Sequence, residues 1–361
     1  MDCPYIPSVG LSQFTDRIGP AVDRQRIPIA GSLETNFRCN LRCRHCYVAH
    51  GHTGIPGRQE LSLAEIRRIL GEVADAGTLW LLLTGGEPLL RPDFADIYRG
   101  IKRKGFLVTL FTNGTLVTPR TADLLAEWRP FNLEITLYGA SQATYEQVTG
   151  VPGSYARCRR GIELLMERGL PLRLKTVLMT LNQHEFEEMQ GFAEGLGLRF
   201  RYDPMVNAGL DGSRGPLDLR LPPQRIVQIE RSNEDVRKDW ERLRDVYRDY
   251  RPNVRHMYSC GAGLRSFHID PYGQLSLCMM SRQENYDLRQ GSFREGWGDH
   301  LYRVRHQPSR QEYGCSQCKL MIVCGQCPGW SALEHGEPQK KVHYLCQVAH
   351  ERAQAYEWLS T

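Results

Sequence analysis

The chain has 361 residues, 41% hydrophobic and 24% charged, which excludes a disordered or low-complexity protein and leaves room for two domains. Lys and Arg total 46 against 41 Asp and Glu, a net charge of +5 with the signs mixed along the chain, so no nucleic-acid partner is implied. The longest apolar run, around Leu79 to Leu83, is far short of the ~20 residues a membrane helix needs. The start, Met-Asp-Cys-Pro-Tyr, lacks the basic and apolar stretches of a signal peptide, so a cytoplasmic protein is expected. Twelve cysteines in a reducing compartment point to metal rather than disulfides.

Residues 1–30 carry Pro4, Pro7, Pro20 and Pro28 without a sustained period and read as an extended arm. From Gly31 strand and helix patterns alternate, with strands expected at 31–37, 79–84, 106–112, 131–137, 172–179 and 198–202. Ser62-Leu-Ala-Glu65 is a capping box, and Leu63, Ile66, Leu70 and Val73 follow on one face until Gly77. Asn182 and Glu185 suggest a second helix start of the same kind, with Phe186, Met189 and Phe192 as its buried stripe. The βα order predicts a partial (β/α)6 barrel of TIM type over residues 31–205, with its reactive groups after the C-terminal ends of the strands. Residues 206–255 read as a linker, Gly-, Pro- and Asp-rich over 207–224, followed by a charged helix from about Arg225 to Arg251. Residues 256–361 read as a small α/β cysteine-rich domain held by metal rather than by a large apolar core.

Cys39, Cys43 and Cys46 form a C-x3-C-x2-C triad after the first strand. Three thiolates suit an iron–sulfur cubane with one iron left for a small molecule. A zinc site closed by His45 or His50 is the other reading of the triad alone. The triad, followed by Gly85-Gly86-Glu87-Pro88 after the second strand, resembles the radical S-adenosylmethionine (SAM) superfamily over roughly residues 31–205. The resemblance implies a SAM-binding [4Fe-4S] cluster on the triad and reductive cleavage of SAM to a 5′-deoxyadenosyl radical that abstracts hydrogen from substrate. It further implies that Gly85, Gly86 and Glu87 meet the SAM amino group, with Pro88 completing that cofactor-binding motif, and that Thr112, Asn113, Thr136 and Tyr138 contact its ribose or carboxylate. Lys175 is a cofactor contact or a surface lysine, and Cys158 is a core thiol.

The later cysteines, Cys260, Cys278, Cys315, Cys318, Cys324, Cys327 and Cys346, resemble the SPASM extension, which carries two auxiliary [4Fe-4S] clusters. By that resemblance Cys315, Cys318, Cys324 and Cys346 hold one cluster. Cys260, Cys278 and Cys327 hold another with an open iron or a non-cysteine ligand. A pair of zinc ribbons is the alternative. SPASM enzymes mostly act on peptides or proteins, so an oxidative crosslinking or maturation enzyme for a ribosomally made peptide is expected. Tetrapyrrole side-chain modification on the way to haem or haem d1 is the second expectation, and a multicluster electron carrier or metal-stapled binding module is the non-enzymatic one. Met279 stands where the sulfatase-maturing branch carries an acidic residue, leaving Asp203 and Asp270 as candidate bases. Residues 1–30 are too few for the ~80 to 90 of a fused peptide-binding domain, so a separate leader-binding protein is expected, with a flavodoxin- or ferredoxin-type reductant.

Overall fold

The computed structural model describes residues 11–48, 57–247, 255–310 and 313–358. Successive side chains in a strand point to opposite faces. That alternation organises β1 (Ala30–Glu34), β2 (Trp80–Thr84), β3 (Leu107–Thr112), β4 (Asn132–Thr136), β5 (Leu172–Val177) and β6 (Arg199–Asp203). One face carries Leu33, Leu81, Leu83, Val108, Leu110, Leu133, Ile135, Leu172 and Leu174, all buried in a single apolar cluster. The opposite face carries Ser32, Glu34, Glu134, Thr136, Lys175, Arg201 and Asp203.

The strands pair in parallel, each beside its predecessor, in the order β6-β5-β4-β3-β2-β1. Right-handed crossovers in a sequential order place every connecting helix on one side of the sheet. The apolar face is therefore covered by α2 (Leu63–Asp75), α3 (Phe94–Arg103), α4 (Pro119–Glu127), α5 (Gln142–Thr149), α6 (Ser154–Met166) and α7 (Phe186–Gly195). The polar face is left as the lumen of a partial (β/α)6 barrel of TIM type. All six expected strands form, with ends that match or shift by at most three residues. The Ser62 cap is as expected: its backbone N–H donates to Glu65 Oε2 (2.7 Å), and Glu65 N–H donates back to Ser62 Oγ (3.3 Å). Cys158 is fully buried, as a core thiol.

Four expectations are corrected. The arm is helical over α1 (Leu11–Gln25), with Pro20 inside it and Val22 buried, and Pro28 comes after the helix; Pro4 and Pro7 lie outside the described residues. Asn182 and Glu185 do not cap their own helix. Instead Glu185 accepts from Ala140 N, Ser141 N and Ser141 Oγ at the start of α5, while the Asn182 amide donates to Val177 O (3.0 Å) and Tyr138 O (3.2 Å). The 207–224 stretch is packed, with Ala208, Leu219 and Leu221 buried. It leads to α8 (Pro223–Ser232) and α9 (Glu234–Tyr247).

The fourth correction concerns the C-terminal segment, which has a substantial apolar core. β7 (Ser266–Ile269) joins β1 in parallel, and β8 (Gln274–Ser276) and β9 (Tyr286–Asp287) follow antiparallel, so one nine-stranded sheet continues from the barrel. Phe267, Ile269, Leu275, Leu288, Phe293, Trp297, Leu301 and Val304 belong to the barrel's own apolar cluster. α10 (Phe293–Glu295), α11 (Leu301–Arg305), α12 (Pro328–His335) and α13 (His343–Ala355) complete the chain. A buried Arg352–Glu230 ion pair (2.6 Å) fastens α13 to α8. No helix among the described residues is long and apolar enough to cross a membrane.

At the β1–β7 seam a Cβ on Gly31 would fall 2.2 Å from the buried Phe267 ring. Gly31→Ala should therefore destabilise by about 1–3 kcal/mol through overpacking. Gly100→Ala, on α3 with nothing within 4 Å, should stabilise by up to about 1 kcal/mol. Denaturant unfolding of the two variants checks both signs.

Candidate active site

Beyond Glu34 the chain enters the loop of Cys39, Cys43 and Cys46, held by its neighbours' backbone. Gly86 N–H donates to Asn36 O and Glu87 N–H to Arg38 O, both at 2.8 Å, while Arg42 N–H and Arg44 N–H donate to Thr149 O and Val148 O at the end of α5. A Cβ on Gly85 would lie 2.4 Å from Asn36 O, and one on Gly86 2.2 Å from Arg38 O. The two glycines thus let the loop after β2 lie directly against the cysteine loop. The three cysteines share a cavity of about 310 Å³ with Gly85, Gly86, Thr112, Asn113, Thr136 and Tyr138.

Glu87 and Pro88 do not line that cavity. Glu87 is fully buried, and its carboxylate accepts from Thr112 Oγ1 (2.7 Å), Asn113 N (2.7 Å) and Leu89 N (3.1 Å). Burial pushes its carboxyl up to about 7 against the pull of those donors. Its side chain staples the loop after β2 to the loop after β3, and Pro88 opens the short turn that follows. Asn113 Nδ2 in turn donates to Asn40 Oδ1 (2.9 Å), inside the triad loop.

The donor set fits an iron–sulfur group. Burial, and the charges of Glu87 and Cys46, push Cys39 up to about 12; burial and the neighbouring cysteines push Cys43 well up, and burial does so for Cys46. Three such thiols become thiolates together only where cationic metal offsets their charge. His45 lies beside the Tyr138 ring (4.9 Å between centroids), its pKa lowered to about 4 by burial, and its buried Nδ1 has no partner among the described residues. His50 and Cys3 lie outside the described residues.

The same cavity reaches the charged lumen. Lys175, read from the sequence as a cofactor contact or a surface lysine, lies in the cavity wall, with Nζ 3.4 Å from Glu134 Oε2 and over the Phe111 ring. Arg201 Nη2 bonds the same Glu134 oxygen (2.5 Å). Asp203 also lines the wall, and its Oδ1 accepts from Met205 N (2.9 Å). Asp270 does not line the cavity: its Oδ1 holds the β7–β8 turn through Tyr272 N (2.8 Å) and Gln274 N (2.9 Å).

Sequence reading missed Glu34. Its carboxylate, with no solvent exposure, accepts from both Arg282 Nη atoms (2.8 and 3.0 Å) and from Tyr47 Oη (3.3 Å), and lies 3.2 Å from His268 Nε2. Ser32 Oγ meets His268 Nδ1 at 2.8 Å. Arg282 Nε donates to Met279 O (2.6 Å), and Met279 forms part of the first cavity's wall. The signal available was a carboxylate at the lumen position just before the triad.

A second cavity, of about 250 Å³, is lined by Cys260, Cys315, Cys318, Cys324, Cys327 and Cys346. Electrostatics sort the seven later cysteines: Cys327 feels the charges of Cys278 and Cys260, whereas Cys324 feels those of Cys346, Cys315 and Cys318.

An open parallel barrel with three thiols at its mouth defines a class of radical-generating enzyme, and comparison with known proteins supplies the family. Residues 33–194 match the Radical SAM superfamily. The AdoMet-dependent heme synthase of Methanosarcina barkeri is 36% identical over 317 residues, 81% of this chain and 89% of that protein. The antilisterial bacteriocin subtilosin biosynthesis protein AlbA of Bacillus subtilis is 26% identical over 316 residues, 83% of this chain and 67% of that one. Streptococcus suis SuiB bound to its precursor peptide SuiA shares the fold with a TM-score of 0.67 at 18% identity, covering 96% of this chain and 84% of that one. The chain belongs to the radical SAM superfamily and is an enzyme.

Burial alone would raise the Glu34 carboxyl; Arg282 and His268 override it and hold it at about 2. Glu34→Gln leaves the half-buried Arg282 without its counter-charge and should cost up to about 3 kcal/mol. The Glu34 contribution is fully present above the ordinary carboxyl value of 4.5 and is lost as pH falls through about 2. Denaturant midpoints of wild type and variant should therefore differ most at neutral pH and converge in acid.

Proposed function

We propose that this enzyme oxidises a peptide substrate, in the manner of a maturase that forms a crosslink or a similar dehydrogenated product. Residues 31–205 form the radical-generating barrel, and residues 256–361 the SPASM extension. The observation that carries the reading is the presence of a second thiol-rich cavity, lined by Cys260, Cys315, Cys318, Cys324, Cys327 and Cys346, besides the triad cavity. When bound, the triad cluster supplies the electron that breaks SAM to methionine and a 5′-deoxyadenosyl radical. Cys39, Cys43 and Cys46 would hold that cluster. Gly85, Gly86, Thr112, Asn113, Thr136 and Tyr138 form the wall available to SAM, and Glu87 holds two of its loops in place. Cys315, Cys318, Cys324 and Cys346 would hold one auxiliary cluster, and Cys260, Cys278 and Cys327 the other.

The barrel's open side supports a long substrate. β6 is an edge strand whose lumen residues Arg199, Arg201 and Asp203 are exposed, so an extended chain can reach the cavity with its ends in solvent. The peptide-bound fold relative and the bacteriocin-biosynthesis relative support the same substrate class. A separate leader-binding protein and a flavodoxin- or ferredoxin-type donor belong to this proposal. The 36% identity to a heme synthase favours a second reading, in which the substrate is an anionic porphyrin.

Anaerobically reconstituted protein should contain about twelve irons per chain, four for each of three cubanes. With dithionite and SAM it should release 5′-deoxyadenosine, and Cys43→Ala should abolish that release. Mass spectrometry of a precursor peptide encoded beside the gene should show the loss of two hydrogens. Turnover of a propionate-bearing iron porphyrin with the peptide left unchanged would replace the peptide reading by the second one.

A further inference from the structure

The triad loop has two sides. Leu41, Cys43 and His45 line the first cavity, whereas Arg42 and Arg44, which alternate with them, do not line it and are exposed. Their backbone N–H groups close the end of α5 on Thr149 O and Val148 O, so the loop is held by main chain and both guanidinium groups are left to solvent. Charge in this part of the chain has one sign. Residues 35–59, which carry the whole triad, contain four Arg and neither Asp nor Glu. Residues 113–122, after β3, and 147–162, from the end of α5 into α6, are also without acid and add Arg120, Arg157, Arg159 and Arg160.

The fold brings these segments to one face. Asn40 Nδ2 donates to Thr115 Oγ1 (2.7 Å), joining the triad loop to the loop after β3. A Cβ on Gly150 would lie 3.4 Å from Arg42 Cβ, and one on Gly153, in the same turn, 3.1 Å from Arg157 Nη1. Arg42, Arg44, Arg120 and Arg157 are exposed, and none takes a carboxylate partner among the described residues. Arginines on other faces do, as in Arg68–Glu72, Arg168–Asp123 and Arg289–Glu65. Arg120 and Arg157 stand in the first turns of α4 and α6, where the helix dipole favours acid, so the stability of those helices does not account for them. Half-buried Leu116 and exposed Pro152 give the same loops some apolar surface. Unpaired charge of one sign beside a small apolar surface suits a transient protein partner of the opposite sign.

We propose that this face docks an acidic one-electron carrier protein, which reduces the iron–sulfur group on the triad from the side of Arg42 and Arg44. The inference rests on the triad holding that group and on the external donor of the reading above, and it is independent of the substrate. In the step one electron leaves the reduced carrier and reduces the iron–sulfur group; no covalent bond forms or breaks and no proton moves. Arg42 and Arg44 are the sequence neighbours of Cys43, so a carrier seated on their guanidinium groups stands beside a ligand of the acceptor. The cavity wall available to SAM lies on the other side of the loop, and docking leaves it open. Unpaired surface cations steer an acidic partner to the face and make its association sensitive to salt.

The test titrates the reconstituted full chain with an acidic bacterial ferredoxin and, separately, with an acidic flavodoxin, and reads the dissociation constant at low and high salt. Wild type should bind at least one of them, and more weakly as salt rises. Arg42→Glu with Arg44→Glu should weaken that binding by about tenfold or more, and so should Arg157→Glu with Arg120→Glu, which keeps the face testable if the first pair does not load its iron. Arg67→Glu, at an exposed position on α2, should leave binding unchanged. In the first pair, 5′-deoxyadenosine release driven by the reduced carrier should fall about tenfold relative to release driven by dithionite, which is too small to need a docking face. No binding of either carrier, binding that both pairs leave intact, or equal weakening by Arg67→Glu overturns the proposal. Equal loss with both reductants overturns it too, and so does a short DNA duplex that binds the face as tightly as the carrier. A wild type that makes no 5′-deoxyadenosine with dithionite fails the radical reading instead, and the binding titration still decides the docking face.

Discussion

Moving an ionised carboxylate from water into a protein interior costs several kcal/mol unless opposite charge and hydrogen bonds meet it there. Glu34, the last residue of the first strand, is such a group, and the residues that meet it come from far along the chain: His268 on β7 and Arg282 after Cys278. Folding the barrel therefore requires the C-terminal segment to return and seat β7 beside β1. The same guanidinium holds the Met279 carbonyl, and Tyr47, next to Cys46, contributes its hydroxyl to Glu34. One buried charge thus ties the loop of the first thiol set to the chain that follows Cys278, the second cysteine of the later set.

The triad site is built on close contact between loops. Gly85 and Gly86 admit the cysteine loop, and Glu87 secures the third loop through Thr112 and Asn113. A glycine pair and a buried glutamate therefore do different work from that expected of a motif facing its ligand. The glycines lie in the cavity wall and permit contact behind it, and the glutamate stands behind the wall altogether. Each thiol in the triad is raised by burial, so the loop is neutral until cationic metal arrives and binding is expected to release protons.

Much of this was legible in the sequence because it is local. Six strands with apolar residues at alternate positions, the Ser62 capping box and the clustered cysteines each signal within a few residues, and the motif pair led directly to the superfamily. What was missed depends on partners distant in sequence. Glu34 reads as an ordinary strand-end residue until Arg282, 248 positions later, is brought to it. Glu185 reads as the start of its own helix, yet it caps α5, whose first residues lie more than 40 positions earlier. The prolines in the first 30 residues obscured a helix because only Pro20 falls inside it. Dense cysteines suggested a metal-held C-terminal fold and masked the apolar positions of Phe267, Leu275, Phe293 and Trp297.

The lumen's asymmetry bears on how substrate arrives. On the β1 side the sheet is continued by β7, β8 and β9, and the Glu34 ion pairs fill the space between them and the triad loop. On the other side β6 ends the sheet, and its lumen residues are exposed. On this side Arg201, Asp203, Lys175 and Phe111 line the cavity that the three triad cysteines also line. Phe111 and Met279 add an apolar surface to the same wall. Recognition by charge at the edge and by fit further inside would let one barrel hold a long substrate at its flanks while only a short part of it reaches the radical.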